Sequence, residues 1–387
     1  MGLRQVPKSL RLCADMARAS FPALTVALAL VAGAALAGDG WRWSIPDWLP
    51  PPPVPEDNPM SAAKVDLGRH LFYDARLSAD GTVACASCHD QTRGFTDGRA
   101  TAVGIGGETG QRNAPGLANV AYLPVLTWAN PMLDRLEVHA LIPMFGTSPL
   151  EMGAVGQEAA IFATLAADPY YATAFTQAFP DQDGAITLYT VTRALAAFQR
   201  TLISVASPFD RQTYGGDKTA MSAAALRGQE LFFGEKLECY HCHGGFNLTD
   251  NLVTSNSRMP EKAFHNTGLH DPVPAGGEGI ATFTLRPEDM GRFRTPSLRN
   301  VAVTAPYMHD GSLATLSEVL DTYAKGGRFP DVAQKDPLVA EFYLNAQEKA
   351  DVIAFLESLT DETFLTDPQF SDPWPQDHPA AKNRAMP

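Results

Sequence analysis

A five-residue pattern that occurs twice constrains this chain more than any other feature. Segments 85–89 (CASCH) and 239–243 (CYHCH) both read C-x-x-C-H. This spacing is typical of c-type haem attachment, in which both thiols add to the porphyrin vinyl groups and the next histidine ligates the iron. A zinc site, the alternative, needs four nitrogen or sulfur ligands around each metal. We therefore predict two covalently bound haem c groups. The attachment residues would be Cys85, Cys88, Cys239 and Cys242, and the proximal iron ligands His89 and His243.

Residues 1–37 have the layout of a secretory signal. Four basic residues precede an uncharged stretch from Phe21 to Gly38, within which Ala-Leu-Ala occupies positions 35–37. We expect cleavage after Ala37 and a periplasmic protein. The alternative is an uncleaved membrane anchor, for which this apolar stretch is at the lower limit of length.

The cysteine count and the charge fit an exported haem protein. Of the five cysteines, Cys13 lies in the predicted signal and the others lie in the paired motifs, so the mature chain would have no thiol left for a disulfide. The chain carries a net charge of −13, and removal of the basic signal would leave about −16. An acidic surface argues against nucleic acid or an anionic membrane as a partner, and it suits a basic protein.

The features around the first motif recur in the same order around the second. Segment 68–72 (GRHLF) matches 228–232 (GQELF), and 114–121 (APGLANVA) resembles 295–302 (TPSLRNVA). This self-similarity predicts an internal duplication. We expect a mostly α fold with two cytochrome-c-like domains. The predicted boundaries are an extended Pro- and Trp-rich lead-in at 38–55, an N-terminal domain at 56–205, a C-terminal domain at 206–360 and a tail at 361–387.

Two helix starts are also readable from the sequence. Ser61 precedes a segment with an apolar side and is a good N-cap. Asn345, with Glu348 three residues later, resembles a capping box and precedes an apolar stripe that ends at Leu359. We expect this last helix to pack in the core beneath the second haem.

The second axial ligand of each haem decides between electron transfer and chemistry at the iron. Residues 90–127 contain no His and no Met. The sequence therefore predicts an open first iron, although Met132 and His139 remain alternative ligands.

Four further segments carry a family resemblance: 126–131 (LTWANP), 148–153 (SPLEMG), 294–300 (RTPSLRN) and 305–311 (APYMHDG). Together with the haem motifs they resemble the bacterial di-haem cytochrome c peroxidase and MauG family over about residues 45–360. The chain is most similar to the MbnH branch, the di-haem enzymes associated with methanobactin genes. The resemblance implies hydrogen peroxide as the oxidant.

The resemblance implies roles around the first haem. Glu151 matches the distal carboxylate, which would move a proton between the peroxide oxygens. His139 stands where the family usually has Gln, and it could hydrogen-bond peroxide or approach the iron. Trp128 resembles the tryptophan that lies between the two haems and divides one long electron step into two.

The resemblance also points to a second-haem ligand and a calcium ion. Fourteen residues after His309, the cytochrome c peroxidases have Met and MauG-like enzymes have Tyr; here the residue is Tyr323. A phenolate favours high-valent iron, whereas a thioether favours reduced iron. Met290 and Met308 are alternative ligands. The implied calcium ligands are the Asn119 side chain and the carbonyls of Thr304 and Pro306.

Three functions are compatible with these residues. In the first, peroxide generates a high-valent di-haem state that oxidises a periplasmic partner protein. In the second, electrons from a small redox protein reduce peroxide. In the third, the chain is a non-catalytic di-haem electron carrier.

Overall fold

Helices make up most of the regular secondary structure in residues 40–382, the part of the chain that the computed structural model describes. The α-helices are α1 Ala62–Phe72, α2 Leu136–His139, α3 Leu141–Phe145, α4 Glu158–Ala166, α5 Pro169–Ala178, α6 Leu188–Arg200, α7 Pro208–Thr213, α8 Ala223–Phe232, α9 Ala281–Thr284, α10 Leu316–Ala324, α11 Ala346–Glu357, α12 Glu362–Thr366 and α13 Pro379–Lys382. Two short strands, β1 Phe264–His265 and β2 Phe293–Arg294, pair antiparallel. The expectation of a mostly α fold is therefore confirmed.

Helix α1 begins where the sequence indicates. The Ser61 side chain accepts a hydrogen bond from the backbone N–H of Lys64, which satisfies one of the free amides of the first turn. The helix packs closely on α6, because a Cβ at Gly68 would lie 1.9 Å from the carbonyl oxygen of Ala194. Glycine is thus required at this crossing.

Helices α8 and α11 make the same kind of crossing. A Cβ at Gly228 would lie 1.9 Å from the carbonyl oxygen of Asp351. Helix α11 has the expected capping box, in which Asn345 accepts from the Glu348 amide and the Glu348 carboxylate accepts from the Asn345 amide. The two crossings correspond by sequence position, while the duplication itself and the predicted domain boundaries stay predictions.

The buried side chains form two main clusters. One surrounds α1, α5 and α6, and the other surrounds α8 and α11. The segment after residue 360 returns to the first cluster, where Phe364, Leu365 and Trp374 are buried. The predicted tail is therefore part of the core that lies beside the first C-x-x-C-H motif.

The lead-in packs against the second half of the chain. The Trp48 ring stacks on Tyr214 at a centroid distance of 4.1 Å. The backbone N–H of Ser255 donates to the carbonyl of Pro51. The predicted signal lies outside the described residues. Among the helices of residues 40–382, none combines the length and the apolar character needed to cross a membrane.

Candidate di-haem active site

The first C-x-x-C-H motif borders a cavity that we call the first cavity. Cys85, Cys88 and His89 line it, and so do His139 and Glu151. Apolar residues complete the wall: Phe72, Val83, Val103, Leu117, Met144 and Leu195. The structure thus brings together the predicted attachment, proximal and distal residues of the first haem.

The His89 ring is held by backbone contacts with Phe95 and Pro115. Its Nδ1 lies 2.7 Å from the carbonyl oxygen of Phe95, a residue with φ of 64°. Burial lowers the pKa of His89, which favours the neutral ring. A neutral imidazole that donates from Nδ1 to a carbonyl leaves the lone pair of Nε2 free for a metal. The ring therefore suits a proximal haem ligand.

The four motif cysteines are partly buried, and none of them forms a disulfide. Burial raises the pKa of Cys85, Cys88 and Cys239 to about 12. Such thiols stay protonated at neutral pH and are weak nucleophiles in the folded chain. Their chemistry fits thioethers to haem that form before the fold closes.

Glu151 is held in position by a glycine-rich loop. The backbone N–H of Ile105 donates to the Glu151 carbonyl at 2.8 Å. A Cβ at Gly104 would lie 2.6 Å from the Glu151 Cα, so only glycine permits this approach. Burial raises the pKa of the Glu151 carboxyl, and a carboxyl with a raised pKa is suited to giving and taking protons near neutral pH.

His139 ends the short helix α2 and lines the same cavity as His89. Burial, with a smaller effect from the nearby His89 ring, lowers the pKa of His139 to about 4. The imidazole is therefore neutral at physiological pH. Met132, the other alternative ligand, is 73% exposed and does not line the cavity.

The second motif borders a larger second cavity. Cys239, Cys242 and His243 line it, together with apolar side chains from α8 and α10. The Nδ1 atom of His243 lies 3.0 Å from the carbonyl oxygen of Leu248, which has φ of 51°. Burial lowers the pKa of His243. Both motifs thus hold their histidine in the same way, and both leave Nε2 available to a haem iron.

Tyr323 lines the second cavity from α10. Burial raises the pKa of its phenol, so a phenolate would require a cation such as haem iron beside it. Met308 also lines this cavity, whereas Met290 does not. Both Tyr323 and Met308 therefore remain candidate ligands, and Met290 is not brought to the site.

Trp128 is buried at the edge of the second cavity, against Phe293. Its Nε1–H donates to the carbonyl of Asn113 at 2.8 Å. The guanidinium of Arg294 lies 5.9 Å from the indole ring and donates to the Thr127 carbonyl. The indole is thus fixed by contacts from both halves of the chain.

The three residues implied for calcium do not all line the same cavity. The Asn119 side-chain oxygen accepts from the Ser204 amide, and its nitrogen donates to the Ser204 carbonyl. Thr304 and Pro306 line the second cavity, which Asn119 does not. Asn113 lines that cavity with them. The calcium site stays a prediction, and Asn113 is the better-placed side chain.

Sequence reasoning missed His265 in β1. Its ring lies between two carboxylates, with Nε2 2.6 Å from Asp250 and Nδ1 2.6 Å from Asp336. The hydrogen bond to Asp250, with further contributions from Cys242 and Asp336, raises the pKa of His265 to about 11. It carries a positive charge beside Cys242. The residues come from distant parts of the chain, so spacing gave no signal.

Paired cavities with these donor sets define a c-type di-haem oxidoreductase. A family model described as di-haem cytochrome c peroxidase matches residues 62–219. The chain is 38% identical over 377 residues to cytochrome-c peroxidase IdrP1 of Denitromonas iodatirespirans, covering 90% of this chain and 94% of that protein. It is 38% identical over 314 residues to methylamine utilization protein MauG of Methylorubrum extorquens, covering 80% and 82%.

A solved structure supports the same assignment. The crystal structure of a MauG-like protein associated with microbial copper homeostasis is 47% identical, with a TM-score of 0.84, and the match covers 87% of this chain and all of that one. The chain belongs to the di-haem cytochrome c peroxidase/MauG family. It is an oxidoreductase of the di-haem peroxidase type, as the predicted enzyme class stated.

Proposed function

We propose that the chain is a MauG-like enzyme, which uses hydrogen peroxide at the first cavity to oxidise a partner protein near the second. When bound, the two haems would accept the oxidising equivalents of peroxide. The observation that carries the proposal is that Tyr323 lines the second cavity. A hard, anionic oxygen donor favours oxidised iron, so this cavity suits storage of oxidising power.

The residues of the first cavity would manage the protons. Glu151, with its raised pKa, would take a proton from the inner peroxide oxygen and deliver it to the outer one. His139, neutral at physiological pH, would orient peroxide by a hydrogen bond. Water would then leave as the O–O bond breaks.

Trp128 would carry electrons between the partner side and the first cavity. Its indole packs on Phe293 and is held by the Asn113 carbonyl, so it has a fixed orientation. The partner would be a periplasmic protein with an oxidisable aromatic side chain. The copper-associated relative makes a copper-handling protein the first partner to test. A periplasmic location and a cleaved signal belong to this proposal.

Detoxification of peroxide with electrons from a small redox protein is the second candidate. It is favoured by the relatives named cytochrome-c peroxidase and by Met308, a thioether donor that also lines the second cavity. A bound calcium ion, with Asn113 in its ligand set, is compatible with either function.

The test compares Tyr323→Phe and Tyr323→Met after stoichiometric peroxide. We expect the wild type to hold both oxidising equivalents long enough to oxidise an aromatic residue of the partner, and both variants to lose them early. Visible absorption and mass spectrometry of the partner provide the readouts. Unchanged partner oxidation in both variants would contradict the proposal.

Glu151→Gln tests the first cavity. Removing a positioned proton-transfer group is expected to slow the peroxide reaction by about 10²–10⁴-fold. Glu158→Gln, on α4 outside the first-cavity lining, is the control and should react normally. Equal rates in both variants would remove Glu151 from the proton path.

A further inference from the structure

A second set of redox-capable side chains lies away from Trp128 and the second cavity. Tyr170 of α5, His70 of α1 and Trp374 of the C-terminal segment form one aromatic group. The ring centroids are 3.9 Å apart for His70–Tyr170, 4.8 Å for His70–Trp374 and 5.4 Å for Tyr170–Trp374. The Trp374 Nε1–H donates to the His70 carbonyl at 2.9 Å, which fixes the indole. We call these three residues the outer aromatic group.

The Tyr170 hydroxyl has a proton acceptor in place. It donates to the Asp66 carboxylate at 2.7 Å, while Nδ1 of His70, 2.7 Å from the same hydroxyl, donates to the Asp66 carbonyl at 2.9 Å. Burial lowers the pKa of His70, so that ring is neutral at physiological pH. A phenol becomes easy to oxidise when its proton can leave together with the electron. Tyr171 also donates to a carboxylate, that of Asp74 at 2.7 Å, but both residues are fully buried, so this pair has no exposed acceptor such as Asp66. Tyr189 gives a different contrast, since the Arg193 guanidinium lies 3.5 Å over its ring.

Two ring contacts lead from the first cavity toward this group. Phe72, in the last turn of α1, lines the cavity and lies 6.4 Å from the His89 ring. Tyr73, the C-cap of α1, contacts Phe72 at 5.4 Å. His70 lies three residues before Tyr73, so a short span of the α1 backbone connects Tyr73 with the outer aromatic group.

The path ends at the surface. The Asp66 side chain is 56% exposed, whereas that of His70 is 13% exposed. Solvent can therefore take up the proton that Asp66 receives. Electron transfer along this path combines steps between packed rings, each less than 7 Å between centroids, with one step along the α1 backbone between Tyr73 and His70.

We propose that Tyr170 is a redox-active residue that discharges the first haem when no partner protein supplies electrons. This inference rests on the proposed peroxide reaction, which leaves the enzyme two electrons short. Tyr170 gives one electron to the haem pair and its phenolic proton to Asp66. The products are a neutral tyrosyl radical, a protonated carboxyl and a haem pair that would lack one electron instead of two. The route limits oxidative damage around the first cavity.

The experiment uses the holoenzyme with stoichiometric hydrogen peroxide and no partner. Samples frozen at successive times are examined by electron paramagnetic resonance, with ring-deuterated tyrosine to identify the radical. Visible absorption follows the loss of the oxidised state in parallel. Tyr170→Phe removes only a hydroxyl, and Asp66→Asn keeps the phenol but replaces the charged acceptor.

We expect a tyrosyl signal in the wild type. In Tyr170→Phe this signal should be lost, and the oxidised state should live several-fold longer than in the wild type. Asp66→Asn should slow the decay roughly tenfold, which corresponds to about 1.4 kcal/mol in the barrier. Tyr189→Phe is the matched control and should behave as the wild type. An unchanged radical in Tyr170→Phe, or the same loss in Tyr189→Phe, would overturn the tyrosine route alone. No absorption change with peroxide in any variant would overturn this route and the proposed function together.

Discussion

The buried ion pair of Glu137 and Arg200 offers the sharpest test of how α2 is held. The Arg200 Nη2 atom lies 2.9 Å from Glu137 Oε1, and the two side chains are 4% and 3% exposed. Asn58 donates to the same carboxylate oxygen at 2.8 Å. Because α2 also carries His139, this pair supports one wall of the first cavity.

Replacing Arg200 by Leu leaves the buried Glu137 carboxylate without its hydrogen-bonded cation, and the half-exposed Arg135, 3.9 Å away, remains as a weaker one. We expect the free energy of unfolding to fall by about 3–5 kcal/mol. The double variant Arg200→Leu/Glu137→Gln removes both charges and should recover about 1–2 kcal/mol, since the penalty comes from the unpaired charge. Lys349→Leu is the control. Its ion pair with Asp321 is as short, at 2.7 Å, but the Asp321 side chain is 58% exposed, so about 1 kcal/mol or less is at stake.

Denaturant unfolding followed by far-ultraviolet circular dichroism measures these differences. An unchanged slope of the transition shows that the variants unfold between comparable folded and unfolded states. Burial alone would raise the pKa of Glu137, but the Arg200 charge and the Asn58 hydrogen bond outweigh it and lower the pKa. The pair therefore stabilises the fold above about pH 4.3, the usual glutamate pKa, and this contribution is lost as the pH falls through the lowered value. A loss below 1 kcal/mol, or a double variant less stable than Arg200→Leu, would refute this reasoning.

Four further variants test the fold. Gly68→Ala and Gly228→Ala should each lower the free energy of unfolding by about 1–3 kcal/mol, because the added Cβ meets a carbonyl of the facing helix. The melting temperature should fall accordingly, and unchanged melting would contradict the crossing geometry. Asp250→Asn should destabilise the protein at pH 8 and much less near pH 11. Because the pKa of His265 is raised, the charged ring makes its whole contribution to stability below about pH 6.5, and this contribution is lost as the pH rises through about 11. Asn345→Ala should cost about 1 kcal/mol by urea unfolding; no cost would show that the cap is dispensable.

The parts of the fold that follow from local chemistry were predictable from the sequence. The cap at Ser61 and the capping box at Asn345 depend on residues three positions apart, and the structure confirms both. The C-x-x-C-H spacing is equally local. The mostly α fold and the family also followed from residues that are neighbours in the chain.

Contacts between distant segments were not predictable. Nothing in the sequence pairs His265 with Asp250 and Asp336, because each residue alone resembles an ordinary surface group. Asn119 and Asn113 occur in similar local settings, and only the folded chain separates a side chain bonded to Ser204 from one that lines the second cavity. The packing of the predicted tail on the first core likewise depends on long-range contacts.

The return of the C-terminal segment sets an order on maturation. Arg69 and Tyr73 donate to the carbonyls of Ser371 and Phe370, and Gln91 donates to that of Phe364. These carbonyls lie far along the chain from the first C-x-x-C-H motif. The first half therefore stays incomplete until residues 364–371 fold onto it, which leaves Cys85 and Cys88 a period of access to the haem-attachment machinery. A chain truncated after residue 360 would lose closure of its first half while its second half kept its own helices.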